Sequence, residues 1–92
     1  MAKKYASSRA VPKLRVNLGQ SVRALRQQRN LSQVELGEKA GLSGKFIGEV
    51  ERGDKSVSVD SLYRVAAVLR IPLATLLREI DGGKARAAGS RR

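Results

Sequence analysis

The sequence predicts an all-α fold of five short helices. Three observations carry this expectation. Apolar residues recur every three or four positions along residues 17–80. Serines stand where helices would begin, and no segment alternates apolar and polar residues between hairpin turns.

The first helix is expected over about 17–29. Leu18, Val22 and Leu25 fall on one face, and Asn17 with Gln20 forms an Asn-x-x-Gln start signal. Asn30 suits a left-handed end. Ser32 and Glu35 then form a capping box that starts a second helix over about 33–40, with Val34, Leu36 and Ala40 as candidate core contacts. Gly41 permits the positive φ that lets this helix stop and turn. Ser43 caps a third helix, whose inward stripe is Phe46, Ile47 and Val50 and whose end is Gly53. Ser58 caps a fourth, where Leu62, Val65, Ala66 and Leu69 recur at helical spacing. Pro72 suits the first turn of a fifth, with Leu73, Leu76, Leu77 and Ile80 as its apolar face.

Composition narrows the function. The 92 residues hold no Cys and no His, which removes disulfides, thiolate metal sites and the commonest general base. No enzyme, metal or cofactor is expected. Glu49 and Glu51, two apart on a helix, point in different directions and cannot share a proton or a metal. The longest apolar run, Val65–Leu69, is far short of the ~20 residues that cross a bilayer. A soluble, cytoplasmic protein with no membrane partner is expected. The net charge of +11 suggests a polyanionic partner. Most of that excess lies at the ends. Residues 1–16 carry Lys3, Lys4, Arg9, Lys13 and Arg15 and no acid, and residues 82–92 carry Lys84, Arg86, Arg91 and Arg92. Three segments follow: a basic N-terminal arm over 1–16, a folded domain over 17–81 and a basic tail over 82–92. Both arms read as disordered and attracted to phosphate.

Two serine-capped helices joined by a short glycine turn over about 32–52 resemble a helix-turn-helix. The run Leu31-Ser32-Gln33-Val34-Glu35-Leu36, the turn Ala40-Gly41-Leu42-Ser43, and Ile47-Gly48-Glu49-Val50-Glu51-Arg52-Gly53 resemble the Cro/C1-type (XRE-like, lambda repressor-like) family. Ile71-Pro72-Leu73 and Leu76-Leu77 continue the pattern, so the resemblance covers about 17–80. It implies a five-helix DNA-binding domain that regulates transcription as a repressor or activator. It also implies a homodimer on palindromic double-stranded DNA, with the third helix in the major groove.

The resemblance places Ser43, Gly44, Lys45, Gly48 and Glu49 on the DNA-facing surface. Lys45 can donate to guanine O6 or N7 or to a phosphate, and Glu49 either accepts from cytosine N4 or is simply solvated. Gly44 allows only close approach. Gln33, at a helix N-terminus, is a candidate phosphate ligand, as are Arg52 and Lys55. Ser32 and Ser43 act first as caps. Relatives pair the Glu51 position with an arginine on the first helix, here Arg26. Leu73, Leu76, Leu77 and Ile80 are candidates for the dimer surface, with Ile80 favoured and Leu73 and Leu76 equally suited to the core. No small-molecule effector is evident. The alternative is a protein-binding module of the same fold, of antitoxin or anti-activator type, which a neutral apolar third helix would favour.

Overall fold

The computed structural model describes residues 10–81. Five helices follow in order: α1 Ala10–Gln28, α2 Gln33–Ala40, α3 Gly44–Glu51, α4 Val59–Leu69 and α5 Leu73–Ile80. No strand occurs among the described residues. Residues 1–9 of the expected 1–16 arm and the whole expected tail over 82–92 lie outside the described residues.

Helix α1 begins seven residues earlier than its expected start at 17, so 10–16 is helix and not arm. Two physical reasons explain the difference. Pro12 is the third residue of the helix, where its missing N–H has no intrahelical partner to lose. Val11 and Leu14 extend the apolar stripe of Leu18, Val22 and Leu25 by two turns, though both stay about 40% exposed. Asn17 is therefore no cap. Its amide Nδ2 donates to the Ile80 carbonyl at 3.1 Å and satisfies an orphan group at the end of α5.

The other boundaries follow local chemistry. Ser32, Ser43 and Ser58 each accept a backbone N–H at the third helical position, from Glu35, Phe46 and Ser61. Gly41 takes φ 74° at the end of α2, and Asn30 closes α1 at φ 58°. Pro72 stands one residue ahead of its expected place, as the N-cap of α5.

The core gathers Val22, Leu36, Ile47, Leu69 and Leu76, all nearly or wholly buried, from all five helices. Helix α2 packs on α3 and α4, α1 on α3 and α5, and α4 on α5. Three arginines lock this arrangement by donating to orphan carbonyls at helix ends and turns. Arg29 Nε reaches Leu69 O at 2.7 Å, Arg64 Nε reaches Ala40 O at 3.0 Å, and Arg26 Nη1 reaches Leu31 O at 2.8 Å. These cations hold the fold together.

Candidate nucleic-acid interface

The turn between α2 and α3 is compact because two positions lack a side chain. Leu42 N donates to Gly37 O at 2.7 Å, folding the chain back onto α2. A Cβ on Gly37 would lie 2.7 Å from Leu42 O and 2.8 Å from the Ser43 carbonyl carbon. A Cβ on Gly44 would lie 2.8 Å from Val34 Cγ2. Helix α3 therefore starts directly against the second residue of α2. Gly44 allows close approach as expected, but of one helix to another. Gly48 is buried, and its missing Cβ would meet Gln33 Oε1 at 3.3 Å and Arg52 Nη1 at 3.5 Å. Gly44 and Gly48 thus face α2, and the outer face of α3 is built by other residues.

That face is charged. With about 100° between successive residues, Lys45, Glu49 and Arg52 share the stripe opposite buried Ile47. Lys45 Nζ donates to Glu49 Oε2 at 2.9 Å, and Arg52 Nε to Asp54 Oδ2 at 3.1 Å. The Lys45 hydrogen bond, helped by the fields of Lys45, Lys55 and Arg52, holds the Glu49 carboxyl below its ordinary range. Glu49 is therefore ionised at neutral pH, with three cations gathered around it. Ser43 stands exposed at the leading end of the same helix.

Behind this face lies a polar clamp. Arg26 grips Glu51 with two bonds, Nε to Oε2 at 2.6 Å and Nη2 to Oε1 at 3.0 Å. The side chains are 11% and 3% exposed. The hydrogen bonds of Glu51 raise the Arg26 pKa above its ordinary value despite burial. Glu51 Oε1 also accepts from Gln33 Nε2 at 3.0 Å. One carboxylate thereby joins α1, α2 and α3. One N–H of Gln33 is committed to this clamp, which leaves the other, with the α2 N-terminus, for an external acceptor. Periodicity and capping give no sign of the Gln33–Glu51 bond, since 18 residues separate the partners.

The expected dimer surface needs correction. Leu76 and Ile80 are 0% and 6% exposed, because both point into this chain's own core, so neither is available to a partner. Leu73 packs partly against the same core. Leu77, at 42%, is the residue of the four that α5 leaves open.

Two capped helices, set close by glycines and clamped by a partly buried ion pair, define a helix-turn-helix domain. The chain belongs to the helix-turn-helix family, whose model matches residues 22–76, and the Cro/C1-type motifs carry the resemblance. It is 36% identical over 64 residues to the immunity repressor protein of Bacillus phage phi105, covering 70% of this chain and 44% of that repressor. It is 38% identical over 60 residues to the control protein C.SmaI of Serratia marcescens, covering 65% of this chain and 71% of that protein. The crystal structure of the clp gene regulator ClgR from Corynebacterium glutamicum superposes with a TM-score of 0.72 at 35% identity. That match covers 82% of this chain and 80% of the ClgR chain. Among the described residues, no helix is long and apolar enough to cross a membrane.

Proposed function

We propose that this domain is a sequence-specific DNA-binding regulator of transcription that places α3 in the major groove and acts as a homodimer on a palindromic operator. One observation carries the reading. The outer stripe of α3 points away from the core and gathers Lys45, Arg52 and Lys55 around Glu49, with Asp54 bonded to Arg52 beside it. The relatives support it, being named as a repressor and a control protein. A neutral, apolar outer stripe would favour an antitoxin-type module, and this one is charged. In the proposed complex Gln33, Arg52 and Lys55 hold phosphates, and Ser43, Lys45 and Glu49 meet base edges. Selection of bound duplexes from a random pool tests the reading: an inverted repeat is expected, and recovery of unrelated fragments would overturn it.

Two smaller results are expected. Arg52→Ala should lower the slope of log affinity against log salt by about 1 while leaving the preferred sequence unchanged. Fluorescence anisotropy over a salt series measures it, and a changed preferred sequence would make Arg52 a base contact. Dimerisation is expected to use the apolar surface that α5 leaves open. Leu77→Lys should weaken self-association about tenfold at unchanged melting temperature, as read by sedimentation. Wild-type association retained in that variant would move the interface elsewhere.

A further inference from the structure

We infer that Lys45 and Glu49 act as one unit that reads a single C·G base pair, with the Glu49 carboxylate on cytosine N4 and the Lys45 ammonium on guanine O6. The inference rests on the reading that α3 enters the major groove. Its basis is a match of spacing. In a C·G pair, cytosine N4 donates to guanine O6, so the two atoms sit about 2.9 Å apart on the groove edge. Lys45 Nζ and Glu49 Oε2 are 2.9 Å apart on the exposed stripe of α3. The protein pair offers an acceptor and a donor side by side, and the base pair offers the complementary donor and acceptor at the same spacing.

The chemistry excludes the reversed pairs and disfavours A·T, whose N6 donor and O4 acceptor stand at a similar spacing. A carboxylate carries no proton to give, so guanine O6 and thymine O4 repel it. Adenine offers N6, but its neighbouring N7 lone pair faces the same carboxylate. An ammonium gives only protons, so it matches guanine O6 and N7 or thymine O4 and fails against cytosine N4; the adenine N7 beside the carboxylate is what sets A·T below C·G. Glu49 is tolerable near phosphates because Lys45 bonds it and Arg52 and Lys55 lie close by. Only one of its carboxylate oxygens bonds Lys45, and the Glu49 side chain keeps 18% of its surface exposed.

Selection from random duplexes, run on the full chain and on four variants, tests the inference. The wild type should recover a fixed C·G pair in each half-site. Glu49→Ala and Lys45→Ala should each lose roughly tenfold of the preference at that same pair and keep the rest of the site. The double variant should lose little more than either single one, because the two side chains work together. Glu49→Gln keeps the shape and adds a donor, so it should shift that position toward A·T. The inference is overturned if the two alanine variants relax different positions, or if neither relaxes any. Those results would leave the major-groove reading intact. Failure of the wild type to select any sequence would overturn both.

Discussion

Glu51→Ala is expected to destabilise the domain by about 3 kcal/mol, the lower end of the cost of stripping one partner from a buried ion pair, because this pair is only partly buried. The geometry sets the size. Glu51 accepts three hydrogen bonds, two from Arg26 and one from Gln33, with its side chain only 3% exposed. Without it, the Arg26 guanidinium keeps Leu31 O alone as acceptor, and the Gln33 amide loses its tether. Small domains hold about 5–15 kcal/mol in total, so the variant should sit near the edge of folding. Urea melts of Glu51→Ala and Arg26→Ala should give similar losses. The double change Arg26→Met with Glu51→Leu should recover much of the stability, since both desolvation costs vanish together. A loss below about 1 kcal/mol in the single variants would place the pair in the class of solvated surface bridges. DNA affinity separates two further roles. If the clamp matters only for folding, the apolar double variant should bind as the wild type does. If Gln33 needs Glu51 to face a phosphate, that variant should fold and still show a flattened salt dependence.

Local chemistry made much of this fold legible. Ser32, Ser43 and Ser58 announce three helix starts because a cap needs only its own next three residues. Gly41 announces the turn for the same reason. What was not legible depends on distant partners. Asn17 looks like a cap until Ile80, 63 residues on, is seen to take its amide proton. Pro12 reads as a breaker unless the helix is known to begin two residues before it. On α5, Leu76 and Leu77 are equally apolar and adjacent, so composition cannot order them, and the packing of α1 against one side decides which is buried. The candidate site divides in the same way. Lys45, Glu49 and Arg52 share an outer stripe that helical spacing alone predicts. Gly44 and Gly48 fall toward α2 because the turn at Gly41 sets the angle between the helices, and no spacing rule reports that angle. Arg29 and Arg64 count as free positive charge in the composition, yet both are spent on helix-end carbonyls.

Gly37→Ala is expected to cost about 2 kcal/mol and to weaken DNA binding further than that loss of stability explains. Alanine would ordinarily help inside a helix, by about 1 kcal/mol over glycine. Here the added carbon meets Leu42 O at 2.7 Å, the Ser43 carbonyl carbon at 2.8 Å and Ser43 O at 2.9 Å. All three are backbone atoms and cannot rotate aside, so the overpacking cost falls at or above the upper end of the usual 1–3 kcal/mol. Relief requires the Leu42–Ser43 segment to move away from α2. Ser43 is the cap that starts α3, so the displacement passes directly to the helix proposed to enter the groove. Gly48→Ala is the control, on the neighbouring helix. Its added carbon meets the tips of Gln33 and Arg52 at 3.3 and 3.5 Å, and these side-chain ends need give only a few tenths of an ångström, which their bonds to Glu51 and Asp54 can follow. That variant should hold its stability or gain up to about 1 kcal/mol. The two variants carry the same chemical change and differ only in what the methyl group strikes. If urea melts gave both the same stability, the close contact at Gly37 would not be what sets α3 against α2.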